Sequence, residues 1–100
     1  MAYEQGAFDA TLAAAAGEDP ALRAELRAAF RDSLEHHLDL LKRARCDGNW
    51  AMAAQRLKGL AASFHAGDLI ELADEAIQAA PGEPGVVRRI ERFRDRFVGG

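Results

Sequence analysis

Apolar residues recur at every third or fourth position along this chain, the period of a helix with one buried face. Residues 3 to 16 place Phe8, Leu12 and Ala15 on such a face, and Gly17 closes the run. Asp19-Pro20 opens a second helix, with the aspartate as N-cap and the proline at the first helical position. Leu22, Leu26, Phe30, Leu34, Leu38 and Leu41 carry its long stripe, flanked by Ala29 and His37. Arg43 and Arg45 stand near its C-terminus, where cations suit the dipole, and Cys46 ends it at a partly buried position. Asp47-Gly48-Asn49 reads as a turn, with Asn49 as the next cap. A third helix is predicted from about Trp50 to Phe64, burying Trp50, Ala54, Leu57, Leu60 or Ala61, and Phe64. His65-Ala66-Gly67 ends it, and Asp68 with Glu71 reads as a capping box for a fourth helix. Leu69, Leu72, Ala73, Ala76 and Ile77 give that helix its apolar side. Pro81-Gly82-Glu83-Pro84-Gly85 reads as a rigid, non-helical loop, after which a last helix turns Val86, Ile90, Phe93 and Phe97 inward. There is no strand alternation, internal repeat or low-complexity tract. The pattern predicts an all-α fold: an up-and-down four-helix bundle with an additional short N-terminal helix, one domain over residues 1–100.

Composition narrows the function classes. A chain of 100 residues has room for one small core. Plentiful alanine with little isoleucine or valine favours helix over strand. The single cysteine, Cys46, excludes an internal disulfide and fits a reducing compartment. No apolar run approaches the about 20 residues that span a bilayer. The start, Met1-Ala2-Tyr3-Glu4, lacks the positive and apolar regions of a signal peptide. The expectation is a cytoplasmic protein with no membrane partner.

The net charge of −3 is unevenly placed. Tyr3 to Asp19 holds Glu4, Asp9, Glu18 and Asp19 and no base, whereas Val86 to Val98 holds five arginines against Glu91 and Asp95. Such asymmetry can steer an anionic partner; the favoured reading is that acidic and basic helices settle beside each other in one bundle. Nucleic-acid binding would need a basic balance or aromatic platforms, and the chain has neither. Arg88, Arg92 and Arg96 share one face of the last helix, and Glu91 with Arg94 or Arg88 offers ordinary helix pairs. His36 and His37 are adjacent and cannot ligate a metal from one face. No cysteine or carboxylate stands at a convincing metal spacing with them. No metal or cofactor is expected.

The chemistry concentrates in Ala54-Gln55-Arg56-Leu57-Lys58-Gly59, inside the third helix. This stretch resembles the A-H-x-L-K-G signature of histidine-containing phosphotransfer (HPt) domains, helical bundles that relay phosphoryl groups between receiver domains. The likeness extends to Asp19-Pro20-Ala21-Leu22 and Phe30 at the long helix. It continues through Asp47-Gly48-Asn49 before the signature and Leu60 to Leu69 after it, with His65 where glycine is usual. In the family a histidine carries the phosphate. Gln55 holds that position here, and an amide nitrogen, its lone pair delocalised, is no nucleophile at neutral pH.

The resemblance implies a signal-transduction module that binds a response-regulator receiver domain or a histidine kinase, with no enzymatic activity and no small-molecule substrate. Its partner-binding face would be Ala51, Gln55, Arg56, Lys58, Gly59 and Ala62. Gly59 and Ala62 would keep that face flat, and Lys58 would bring a cation to the partner's acidic pocket. The competing reading makes Gly59 a close-packing point for a neighbouring helix and Lys58 a solvated charge. Gln55 itself stands open between three readings. It is a native pseudo-phosphotransfer residue, or a substituted histidine of a true phosphotransfer protein, or an ordinary exposed glutamine on a helical interaction protein unrelated to phosphorelay. His65, ten residues on, lies ~80° away round the helix and does not replace the missing histidine.

Overall fold

Asp19 caps the longest helix as its place before a proline requires. Its Oδ1 accepts from the backbone amides of Ala21 at 3.0 Å and Leu22 at 3.3 Å. In the computed structural model, which describes the backbone of residues 2–99 and the side chains of residues 6–97, this helix follows one shorter helix and precedes three. They are α1 (Ala2–Ala16), α2 (Pro20–Arg43), α3 (Asp47–Ser63), α4 (Gly67–Gln78) and α5 (Pro84–Gly99). The acidic Glu4 counted above lies outside the described side chains. Among the described residues there is no strand, so the fold is all-α.

Helix α2 packs against α1, α3 and α5, and α4 packs against α3 and α5. The molecule measures 43 × 22 × 21 Å, so α2, at about 36 Å, runs much of its length. Phe30, Leu34, Leu38 and Leu41 are buried as the stripe predicts, but Leu22 is 39% exposed. α2 is longer than its neighbours, and its first turn reaches beyond what they cover. The core continues through Trp50, Leu57, Leu69, Val86 and Ile90. At one end Phe8, Phe30, Phe64 and Phe97 meet ring on ring, with centroids 4.9 to 5.7 Å apart. Arg27 lays its guanidinium 4.5 Å from the Phe97 centroid.

Three helix starts differ from expectation, each for a local reason. α3 begins at Asp47, so Asp47-Gly48-Asn49 is its first turn and not a connector. The cap position is Cys46, exposed and without a side-chain cap bond, rather than Asn49. Asp47 suits the positive end of the dipole. Trp50 fixes the turn from within, because its buried Nε1 donates to the Ala76 carbonyl of α4 at 2.7 Å. α4 begins at Gly67 after Ala66, and the Asp68–Glu71 capping box does not form. The preceding turn has already set the entry. The Ala66 amide donates to the Ala61 carbonyl at 2.9 Å and the His65 amide to the Ala62 carbonyl at 3.2 Å, a Schellman closure of α3. α5 starts at Pro84, inside the segment read as loop. Proline fits the first helical position, and Glu83 takes the amides of Gly85 (3.1 Å) and Val86 (2.8 Å). Those two bonds, with Arg89 and Arg88 nearby, hold the Glu83 carboxyl below its ordinary pKa despite a smaller opposing effect of burial.

The ion pairs also differ from the helix-local pattern expected. Glu91 reaches across to Lys42 of α2 at 2.9 Å, and Arg94 pairs with Asp95. Arg45 donates to the Lys42 and Ala44 carbonyls and so closes the end of α2.

Candidate functional site

The surface at issue is the outward side of α3, and its flanks are set by the helix period. At 100° per residue, Trp50, Ala53, Ala54, Leu57 and Ala61 form the buried side. Gln55 and Gly59 fall opposite them, with Ala51 and Ala62 alongside, and all four are exposed. Gln55 points away from the bundle interior, at the centre of this side. Lys58 occupies the flank towards α4 and is half-buried, with its Nζ 2.7 Å from Asp74 Oδ1. Arg56 occupies the other flank, towards α2, and is exposed. Of the six residues expected on the face, all six lie on or beside it. The two cations stand on opposite sides of it, and only Lys58 is joined to a carboxylate among the described residues.

Gly59 decides between the readings left open for it. A Cβ built there meets nothing within 4 Å. No neighbouring helix therefore needs the glycine, and its backbone lies outside the left-handed region that favours glycine. The close-packing explanation fails. The Gly59 carbonyl accepts the Ser63 hydroxyl at 2.9 Å, a bond an alanine would allow equally.

Two residues near the face were not foreseen as part of it. Met52 is 53% exposed, three residues before Gln55 on the same side. The spacing rule that selected Ala51 and Lys58 would have found it. His37 of α2 comes within electrostatic reach of Arg56 through the packing of α2 on α3, which no local signal encodes. Its Nδ1 is buried and lacks a hydrogen-bond partner. Burial lowers the His37 pKa, with His36 and then Arg56 adding to the effect. The His36 and His37 rings lie 5.5 Å apart.

His65 is turned to a different task. It adopts φ +56°, the left-handed conformation that glycine takes most easily. Its Nδ1 lies 2.8 Å from Thr11 Oγ1. The Thr11 hydroxyl donates to the Ala7 carbonyl at 3.0 Å, so it accepts from a proton on His65 Nδ1. This ties α1 to the α3–α4 turn.

Elsewhere, an open groove of about 560 Å³ runs between α4 and α5, lined by Glu71, Asp74, Glu75, Glu83 and Arg89 among others. Arg89 pairs with Glu75 across it. Among the described residues no group of histidines, cysteines and carboxylates is placed to hold a metal ion, and no helix is long and apolar enough to cross a membrane. Comparison of the chain with protein-family models, with curated proteins and with solved structures finds no match. The class defined by fold and surface is an all-α bundle that offers one low-relief helix face, with Gln55 at its centre.

Proposed function

We propose that the protein is an HPt-like docking module of two-component phosphorelay signalling. It binds a receiver domain, or a histidine kinase, through α3 and carries no phosphate itself. On this reading α2 to α5 form the up-and-down four-helix bundle of that family and α1 is the addition. The protein acts by occupying a receiver surface that a true phosphotransfer protein would use, not as an enzyme, and does so in the cytoplasm where receivers work.

One observation carries the reading. A glycine inside a helix costs about 1 kcal/mol relative to alanine, and Gly59 has no neighbour within the chain to account for it. A surface kept bare for something outside the chain supplies the reason. The exposed Ala51, Gln55 and Ala62 around it agree, as does the absence of any acidic residue on α3 after Asp47. A receiver's acidic pocket would meet no like charge there.

The test is a titration of the isotope-labelled protein with a receiver domain. Signals of Ala51, Gln55, Arg56, Gly59 and Ala62 should shift together. Shifts confined to α5 would remove the assignment. The exposure of Gln55 also favours a second reading, a phosphotransfer protein whose histidine has been replaced, since an imidazole at that position would stand open to a partner. Gln55→His should then acquire acid-labile phosphate from a phosphorylated receiver, and an unlabelled variant excludes that reading.

A further inference from the structure

Charge is divided along the seam between α4 and α5. α4 carries Asp68, Glu71, Asp74 and Glu75 and no basic residue, and Glu83 stands just beyond it. α5 carries five arginines, and both of its carboxylates are engaged, Glu91 with Lys42 and Asp95 with Arg94. The two helices pack on each other, yet among the described residues one ion pair crosses the seam, Arg89 with Glu75. Beside that pair lies the open groove of about 560 Å³, where four carboxylates (Glu71, Asp74, Glu75 and Glu83) face the single guanidinium of Arg89. Glu71 on one bank and Arg88, Arg92 and Arg96 on the other are exposed. None of these four has an ion-pair partner among the described residues.

The helix period sets how the two banks adjoin. Arg88, Arg92 and Arg96 step about 40° at a time round α5. The stripe starts opposite the buried Val86 and Ile90 and comes, at Arg96, to within about 20° of Arg89, the side on which Glu75 of α4 lies. One continuous surface therefore has an acidic half and a basic half, side by side. Such a surface is complementary to itself. A two-fold axis along the seam sets α4 of each copy against α5 of the other, and every contact occurs twice. An axis laid across the seam would set acid on acid, so the charges also select the direction.

We propose that the α4–α5 seam is a self-association surface, and that its occupant is the same seam of a second copy in an isologous dimer held by carboxylate–guanidinium pairs. A basic peptide would answer the acidic bank and leave three arginines facing solvent, and an acidic partner would do the reverse. A second copy answers both banks at once. Apolar burial adds little, because the groove offers only Ala79 and an already buried Val86. The association is therefore weak and salt-dependent. α3 and α5 each pack between α2 and α4, at opposite corners of the bundle. The dimer leaves the outward side of α3 open on both copies, and it stands whether or not that side docks a receiver.

The experiment follows the average mass of the full chain by sedimentation across protein concentration. At low salt the mass should rise from that of the monomer towards that of the dimer. At about 1 M salt, where screening shortens to about 3 Å, it should stay at the monomer. Glu71→Lys and Arg92→Glu change exposed side chains without ion pairs. Each should weaken self-association at least about tenfold by opposing like charges, with helical content and unfolding midpoint unchanged. Mixed together, the two variants should pair as tightly as the wild type, and a chain carrying both changes should pair with itself. A wild type monomeric at every concentration overturns the proposal, as does a dimer that survives high salt. Self-association indifferent to either reversal, or a mixture that stays monomeric, overturns it equally. A monomer whose Glu71 signals move saturably with an arginine-rich peptide gives the groove to a basic partner instead. On dilution of the wild type the Ala51, Gln55 and Gly59 signals should hold still. Changes centred on them would show that the copies meet through α3, and the seam would be struck out.

Discussion

Burial withholds protons from the His37 imidazole, and the neighbouring His36 and Arg56 add to the effect, so its pKa in the fold lies below the ordinary 6.5. Above pH 6.5 the ring is neutral whether the chain is folded or not, and the contribution to stability is fully present. As pH falls below 6.5 the unfolded chain takes up a proton that the folded chain resists, and stability is lost down to the folded-state pKa. The urea midpoint should therefore fall between pH 7 and pH 5. His37→Gln, which cannot titrate, should flatten that part of the profile, and an unchanged slope would show that another group sets it. Glu83 acts at lower pH. Its carboxyl is held down by the Val86 and Gly85 amides, so its contribution is present above about pH 4.5 and lost as pH falls further. At this scale the candidate face was half legible. Gln55 and Gly59 were found because the helix period placed them outward. The buried, partnerless nitrogen of His37 was not, because its burial depends on which helix lies across from it.

On the docking reading, helix α3 serves its function at some cost to its own stability. Gly59→Ala adds a methyl group into open space at a position with no positive φ. The variant should gain about 1 kcal/mol in chemical unfolding, and a destabilised variant would mean that the glycine serves the fold after all. If the protein docks as proposed, the same change should weaken receiver binding, since the added bulk stands beside Gln55. α2 offers the complementary case. Asp19→Ala removes the side-chain acceptor of two first-turn amides and should lose about 1 kcal/mol. Helix cores and the start of α2 were readable because periodicity and an Asp-Pro cap are local signals. The starts of α3, α4 and α5 were not. Asp47-Gly48-Asn49 has the composition of a turn, yet the indole of Trp50, bonded to α4, sits one residue beyond it. Pro84-Gly85 has the composition of a loop, yet Glu83 caps it as helix. In each case a contact outside the segment outweighed the segment's own preference.

Across the whole molecule, α2 to α5 close on one another through four of the helix pairings, while α1 packs chiefly on α2. α1 is held by few attachments. Phe8 and Leu12 are buried, Asp9 lies 4.0 Å from Arg27, and Thr11 meets His65. The Asp9–Arg27 pair is exposed and contributes little. The hold is therefore mostly Phe8, whose ring touches Phe30, Phe64 and Phe97. Truncating a core phenylalanine costs about 3–5 kcal/mol when the whole fold must bear it. If α1 is an addition to a self-sufficient ring, Phe8→Ala should instead release α1 locally. Amides of α1 should then exchange close to the unprotected rate, while those of α2 to α5 keep most of their protection. The Gln55 face, on the outer side of α3, should keep its signals and, if it docks as proposed, its affinity for a receiver. A uniform loss of protection across all five helices would show that the phenylalanine cluster is a keystone, and that α1 belongs to the folding unit as fully as the other four.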